Sequence, residues 1–337
     1  MLGHLRVFKS VALAFGLALL AGCGGGGSST PVAVPTSTPA PQPVTPQGPL
    51  FVAGINQVVA FPIGAQGAAA PSASVGGFGS PADANPPWTR VTALGGGPAG
   101  SVIIGSETFT AGGDGGPPNS YACHLMVYAP NALASSTPAC SGDLYPSAVY
   151  GRANGDIDYL AQPYSGQNQI IRIRASDGTS IVRLTAPTGE TFSMFTEDAT
   201  GDIYIIDGST VKEYGGASDV ASAAPVRTVP LGFSASFLAV AYDGTIYVAP
   251  TSTGAIEAVT PTGSTRTVGP FAGKFVGAIA TDSAGGLYVG LNGGGATEVD
   301  VFTANAAGNS PVRVLSNPIG GYPANAYAQI YAIAIGQ

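Results

Sequence analysis

The chain has 337 residues, long enough for one large or two modest domains with a sizeable core. Charged residues make up only 9% against 50 Gly and 28 Pro, and the apolar runs favour Val, Ile, Tyr and Thr, which is the composition of an all-β protein rich in turns. The formal charge of −7 becomes −9 once the first 22 residues, with Arg6, Lys9 and no acid, are set aside; the other basic residues are scattered, which argues against nucleic acid or anionic headgroups as partners.

The chain opens with His4, Arg6 and Lys9, then an apolar run from Val11 to Leu20, then Ala21-Gly22-Cys23. A basic start, a run of about ten apolar residues and small residues before the break predict a secretory signal rather than a membrane span, for which the run is too short. Leu20-Ala21-Gly22-Cys23 resembles the lipobox of bacterial lipoproteins. That resemblance implies cleavage before Cys23, acylation of its sulfur and, with Gly24 in place of Asp, sorting to the outer membrane of a Gram-negative cell. Each buried CH2 contributes about 0.8 kcal/mol, so two or three acyl chains suffice for a stable membrane anchor. Residues 24–47 begin Gly24-Gly25-Gly26-Gly27-Ser28-Ser29 and continue through the prolines from Pro31 to Pro46. They lack the apolar content to fold and are expected to be a tether, flexible first and then extended.

From residue 48 one unit repeats. A short apolar strand occurs six times, as Leu50-Phe51-Val52, Val102-Ile103-Ile104, Ile157-Asp158-Tyr159, Ile203-Tyr204-Ile205, Ile246-Tyr247-Val248 and Leu287-Tyr288-Val289, at intervals of 52, 55, 46, 43 and 41 residues. Five copies follow a Gly-containing turn, most with Asp or Asn, and each turn follows another apolar strand, such as Phe192–Phe195 or Ala278–Ala280. The acids of these turns are read as turn chemistry, since Asp bonds its own backbone and Gly supplies positive φ. The first copy has no such partner before it, but Ile330–Ile335 repeats the Ala-Ile-Ala core of residues 278–280 at the other end of the chain. A period in the forties with several short strands predicts a six-bladed β-propeller, closed by pairing the C-terminal strand with the N-terminal blade. Arg183, Arg227, Arg266 and Arg313 recur on the fourth strands, where they are expected to face water and protect an edge. The pattern Asp-x-x-Gly-x-Leu-Tyr-Val at 282–289 resembles NHL-type propellers, a resemblance that covers residues 48–337 and carries fold but not function.

Of three cysteines, the lipobox takes Cys23, leaving Cys123 and Cys140 as an even pair in an exported protein. Alignment with the last unit puts Cys123 on a third strand and Cys140 on the fourth, so a cross-strand disulfide is expected. Only His124 remains once the signal is removed, which leaves no multi-histidine metal site and disfavours both Ser-His-Asp chemistry and a virginiamycin B lyase-like propeller. A gluconolactonase-like propeller would bring acids to Ca2+ in the central channel; Glu197, Asp198, Asp207, Asp243 and Asp282 are available, but all sit in or beside turns. Two excursions between second and third strands stand out, one from Ser106 to Ala122 and one from Gln162 to Gln169. Glu107, Asn119, Tyr121, Tyr164 and Asn168 there are the candidate ligand contacts, able to stack on or hydrogen-bond a glycan or peptide, with tolerated surface loops as the alternative.

The expectation is therefore a signal peptide at 1–22, a lipidated Cys and tether at 23–47 and a propeller at 48–337. Its expected function is that of a monomeric, non-catalytic binding or scaffolding module at the cell envelope. No catalytic residue and no metal ligand is assigned, and a metal-dependent, gluconolactonase-like hydrolase is the competing class.

Overall fold

The structure, a computed structural model, describes residues 48–337 except 55–56, 77, 79–87, 111–119, 130–134, 137–139, 141–143, 164–165, 217–218, 223, 251–253 and 320–328. Side chains at 88, 109–110, 120–122, 135–136 and 144 are likewise outside the description. The expected signal, Cys23 and the tether lie outside the described residues, as do Asn119, Tyr164 and the side chain of Tyr121.

Six four-stranded antiparallel sheets follow one another along the chain. Blade 1 contains β1 (Leu50–Ala53), β2 (Val58–Phe61) and β3 (Ala73–Val75). Blade 2 runs β4 (Trp88–Gly96), β5 (Val102–Thr110), β6 (Ser120–Tyr128) and β7 (Ser135–Ser136), and blade 3 runs β8 (Leu144–Gly151), β9 (Ile157–Pro163), β10 (Gln169–Ile173) and β11 (Ser180–Thr185). Blade 4 comprises β12 (Phe192–Glu197), β13 (Ile203–Asp207), β14 (Thr210–Tyr214) and β15 (Arg227–Pro230). Blade 5 comprises β16 (Phe237–Val240), β17 (Ile246–Ala249), β18 (Ile256–Val259) and β19 (Thr265–Val268). Blade 6 comprises β20 (Phe275–Thr281), β21 (Leu287–Gly293), β22 (Ala296–Phe302) and β23 (Arg313–Ser316), after which β24 (Ala332–Ile335) ends the chain. β24 pairs antiparallel with β1, Leu50 opposite Ile335 and Ala53 opposite Ala332, so it is the innermost strand of blade 1 and closes the ring. The protein is a six-bladed β-propeller.

The second strands read as unbroken apolar runs because both of their faces are covered by neighbouring blades. Val52, Ile104, Ile205, Val248 and Val289 are fully buried. Six apolar clusters each bridge two adjacent blades; one joins Leu50, Val52 and Ile333 of blade 1 to Ala278, Tyr288 and Val299 of blade 6.

The turn reading holds residue by residue. Asp198 Oδ1 accepts the backbone N–H groups of Thr200 (2.9 Å) and Asp202 (3.0 Å), and its Oδ2 accepts the Tyr204 hydroxyl at 3.2 Å. Asp282 repeats this with Ala284 (2.9 Å), Gly286 (2.8 Å) and Tyr288 (3.1 Å), and Gly201 and Gly285 provide the positive φ, 90° and 82°.

Three local readings are corrected. The segment read as an excursion from Ser106 to Ala122 is in part a long hairpin, β5 extending to Thr110 and β6 starting at Ser120. Cys123 and Cys140 form the disulfide, but Cys140 lies beyond the fourth strand, which ends at Ser136. The closed loop, with a sequence separation of 17, is worth roughly 3 kcal/mol in the chain-entropy model. The fourth-strand arginines do not simply face water. Arg183 donates to the carbonyl of Gly216 (2.8 Å), Arg227 to Thr260 (3.1 Å), Arg266 to Ala306 (3.0 Å) and Arg313 to Ile63, in each case crossing to the next blade. The outermost strand has one face against its neighbour, so the long stem crosses apolar surface and the guanidinium reaches a backbone carbonyl of the next blade's loop.

Candidate functional site

The innermost strands β4, β8, β12, β16, β20 and β24 all run towards the inter-strand turns and surround a central cavity of about 1210 Å3. Its wall is mostly small and apolar, including Ala93, Ala148, Ala239 and Ala278. Tyr242, 58% exposed, stands at the turn end, and Tyr331, 46% exposed, lies before β24 towards the other. Gly48 and Pro49, where the described chain begins, also line this cavity.

The turn end carries chemistry on one side. In blades 4 and 6, Tyr204 and Tyr288 on the second strand donate to the Asp that opens the turn. Blade 3 reverses the pair: strand register places Asp158 where the others have Tyr, and Arg152 opens the turn. Aspartate is shorter than tyrosine, and three arginines fill the space. Arg172 grips Asp158 through Nε and Nη2, both at 2.8 Å, Arg183 Nη1 reaches it at 2.9 Å, and Arg152 Nη1 lies 3.5 Å away. Glu197, the last residue of β12, completes the group by accepting from Arg183 and Arg152. Arg172 continues to Asp219 at 3.2 Å, which Arg174 also contacts. Arg183, Asp158, Glu197 and Arg172 are all buried, whereas the Arg152 side chain is 22% exposed and lines the cavity with Tyr150 and Glu197.

Electrostatics follow the geometry. Burial and the Asp158 carboxylate alongside push the Glu197 carboxyl up, against the pull of Arg183 and Arg152. Burial acts to raise Asp158 as well, but hydrogen bonds from Arg172 and its charge hold that carboxyl below the ordinary aspartate value. The Tyr150 phenol is pushed up to about 12 by burial and by Glu197, while a bond from Gln337 and the charge of Arg152 work the other way. Sequence reasoning placed Glu197 beside a turn and assigned no role to Arg152, Asp158 or Arg172. The signal that exposes them is the contrast with blades 4 and 6, Asp for Tyr at 158 and Arg for Asp at 152; blades 1, 2 and 5 lack the Tyr–Asp pair as well, with Gly336, Gly97 and Ala241 at the turn position.

Of the candidate contacts from the sequence, Glu107 and Asn168 sit towards the opposite end. Glu107 is buried on β5 and accepts Nε and Nη2 of Arg90 at 3.2 and 3.0 Å. Asn168 donates to the Phe192 carbonyl at 2.7 Å, and Gln162, itself bonded to Tyr145, donates to the same carbonyl at 3.2 Å. Tyr121 is on β6 opposite Phe109. Thus Glu107 and Asn168 are bonded within the fold.

One further buried carboxylate has a pH consequence. Asp300 on β22 is 4% exposed between Val289 and Val314, and its Oδ1 has no hydrogen-bond partner among the described residues. Burial first, and then Glu298, push this carboxyl up to about 6, with Lys274 opposing. A raised carboxyl favours the folded state in acid, and that contribution is lost as pH rises from the unfolded value, 3.8, through about 6. Asp300→Asn is therefore expected to stabilise the protein at pH 7–8 by about 1–3 kcal/mol, with the gain vanishing below pH 4, as urea midpoints across pH would show. A gain independent of pH would contradict the assignment.

No family model matches the chain, and no curated protein does. Among solved structures it is similar to a protein of unknown function from Bacteroides caccae, at 14% identity and a TM-score of 0.56, over 87% of this chain and 100% of that one. It is similar also to the nidogen/laminin complex, at 12% identity and a TM-score of 0.56, covering 86% of this chain and 98% of that one. Virginiamycin B lyase from Staphylococcus aureus gives 14% identity and a TM-score of 0.40, over 65% of this chain and 74% of that one. At these identities the likeness to the first two shows the propeller fold alone.

Proposed function

We propose that the protein is a lipid-anchored β-propeller of the cell envelope that binds a protein or glycan partner without catalysing a reaction on it. The observation that carries this reading is the state of the acids that such a site would need. A hydrolase of the gluconolactonase type would draw on several carboxylates converging on one cation. Here Asp198, Asp243 and Asp282 bond their own turns, Asp207 pairs with Lys212 at 2.8 Å, and Glu197 is taken by Arg152 and Arg183. What the fold leaves open is a channel of mixed apolar and hydrogen-bonding character, suited to holding part of a partner.

The anchor rests on the lipobox-like Leu20-Ala21-Gly22-Cys23 and the Gly/Ser/Pro-rich segment after it, with the outer membrane of a Gram-negative cell as the destination. Cys23→Ala is expected to move the protein from the detergent-extracted membrane fraction to the soluble fraction. Continued detergent-dependent fractionation of the variant would refute the anchor.

A further inference from the structure

We propose that the turn end of the channel contains a binding site for an anionic group, a carboxylate or a phosphate, contacted directly by Arg152 and Tyr150. The proposal deepens the binding function above and rests on it. Its first support is the contrast between blade 3 and blades 4 and 6. Blades 4 and 6 close the turn with a Tyr hydroxyl on an Asp, whereas blade 3 uses Arg152 and Asp158 and buries Arg172, Arg183 and Glu197 to accommodate them. Burying so many charges costs desolvation that the Tyr–Asp arrangement avoids, so stability alone does not account for the change. A buried charged arrangement that spends stability is where function is expected.

The second support is charge. The connected network holds four arginines, Arg152, Arg172, Arg174 and Arg183, against three acids, Asp158, Glu197 and Asp219. One cation is in excess with every carboxylate ionised, and the upward push on Glu197 enlarges the excess. The acids on the same rim do not offset it by contact. Asp198 and Asp282 each use both oxygens on their own turn and its Tyr, Asp202 accepts the Gly216 N–H at 2.8 Å, and Asp156, in the same turn as Arg152, accepts from the Ala175 N–H and the Asn154 amide, both at 2.9 Å.

The third support is access. Among the described residues Arg152 bonds through Nη1 alone, which leaves Nε and Nη2 of a guanidinium that borders the cavity. Nη2 lies over Gly201, where a Cβ would come within 2.7 Å, so the glycine provides the room in which the Arg152 head sits. Tyr150 borders the same space with its hydroxyl beside Gln337, and Asn154 stands on the rim. A planar guanidinium with two adjacent N–H groups matches the oxygens of a carboxylate or phosphate, and the Tyr hydroxyl supplies one further donor.

The test is calorimetric titration of the full mature protein with sodium acetate and, separately, with inorganic phosphate, each against chloride at matched ionic strength. Saturable binding of one or both is expected, and which arm responds identifies the group. Arg152→Gln should weaken it about tenfold or more, as loss of a charge-assisted bond does. Tyr150→Phe, which removes one oxygen and is the milder change, should also weaken it. Arg266→Gln, on the outer strand of blade 5, should leave it unchanged. Absence of saturable binding in both arms, or equal binding by the Arg152 and Tyr150 variants and the parent, would overturn the site. Either result leaves the anchoring and non-catalytic readings to their own measurements.

Discussion

Replacing Arg183 with alanine is expected to destabilise the propeller by about 3–5 kcal/mol, the cost of breaking a buried ion pair from one side. The Arg183 side chain is 0% exposed, and its guanidinium joins three groups, Asp158, Glu197 and the Gly216 carbonyl. Its removal leaves two carboxylates together in a dry interface between blades 3 and 4, with Arg152 and Arg172 as their remaining cations. A void as long as the arginine stem adds to the cost. Arg227→Ala is the control, since this arginine on the outermost strand of blade 4 is 26% exposed and makes a 3.6 Å ion pair with Glu213 and one carbonyl bond to Thr260. There the expected loss is under about 1 kcal/mol. Urea unfolding of both variants decides the matter. Equal midpoints would mean that Arg183 is as dispensable as a surface arginine and that the buried network contributes little.

Removing residues 330–337 should have a larger effect and abolish cooperative folding. β24 is the inner strand of blade 1, so its loss bares the β1 edge from Leu50 to Ala53 to solvent and to other chains. Ile330 and Ile333 leave the cluster shared with blade 6, at about 1.5–3 kcal/mol each. Buried Asn292 loses both partners, the Ile330 N–H at 2.7 Å and the Ile330 carbonyl at 3.0 Å, at about 1–3 kcal/mol. Together with the ladder hydrogen bonds these losses reach the total stability of an ordinary domain, about 5–15 kcal/mol. Near-ultraviolet circular dichroism and the soluble fraction after expression measure the outcome. A soluble truncated protein with one sharp unfolding transition would show that the ring does not depend on this closure. Gly277→Ala disturbs the same clasp more gently, because a Cβ there would collide with Asn292 and with the Ile330 carbonyl.

The ring was legible because a propeller repeats one short unit. Strand triplets such as Leu287-Tyr288-Val289, the Asp turns before them and the echo of residues 278–280 in 330–335 are local signals, and each survives in the structure. Contacts between blades were not legible. Alternation along β11 gives Val182 and Arg183 opposite faces, but which face meets blade 4 depends on the packing of the ring, and it is Arg183 that does. The stretch Ser106-Glu107-Thr108 reads as a loop because it is polar. It forms a strand because β4 and β6 lie on either side and Arg90 compensates Glu107 across the ladder. At the channel, the acids were correctly read as turn residues at Asp198, Asp243 and Asp282. Glu197, one residue earlier than Asp198, belongs instead to the charged group with Arg152 and Asp158.

The most direct test of a non-catalytic envelope module is the calcium content of the purified mature protein, measured with lactone hydrolysis before and after chelation. The account predicts no stoichiometric calcium and no hydrolysis that chelation removes. One tightly bound calcium per chain, lost together with a lactone-hydrolysing activity, would contradict it.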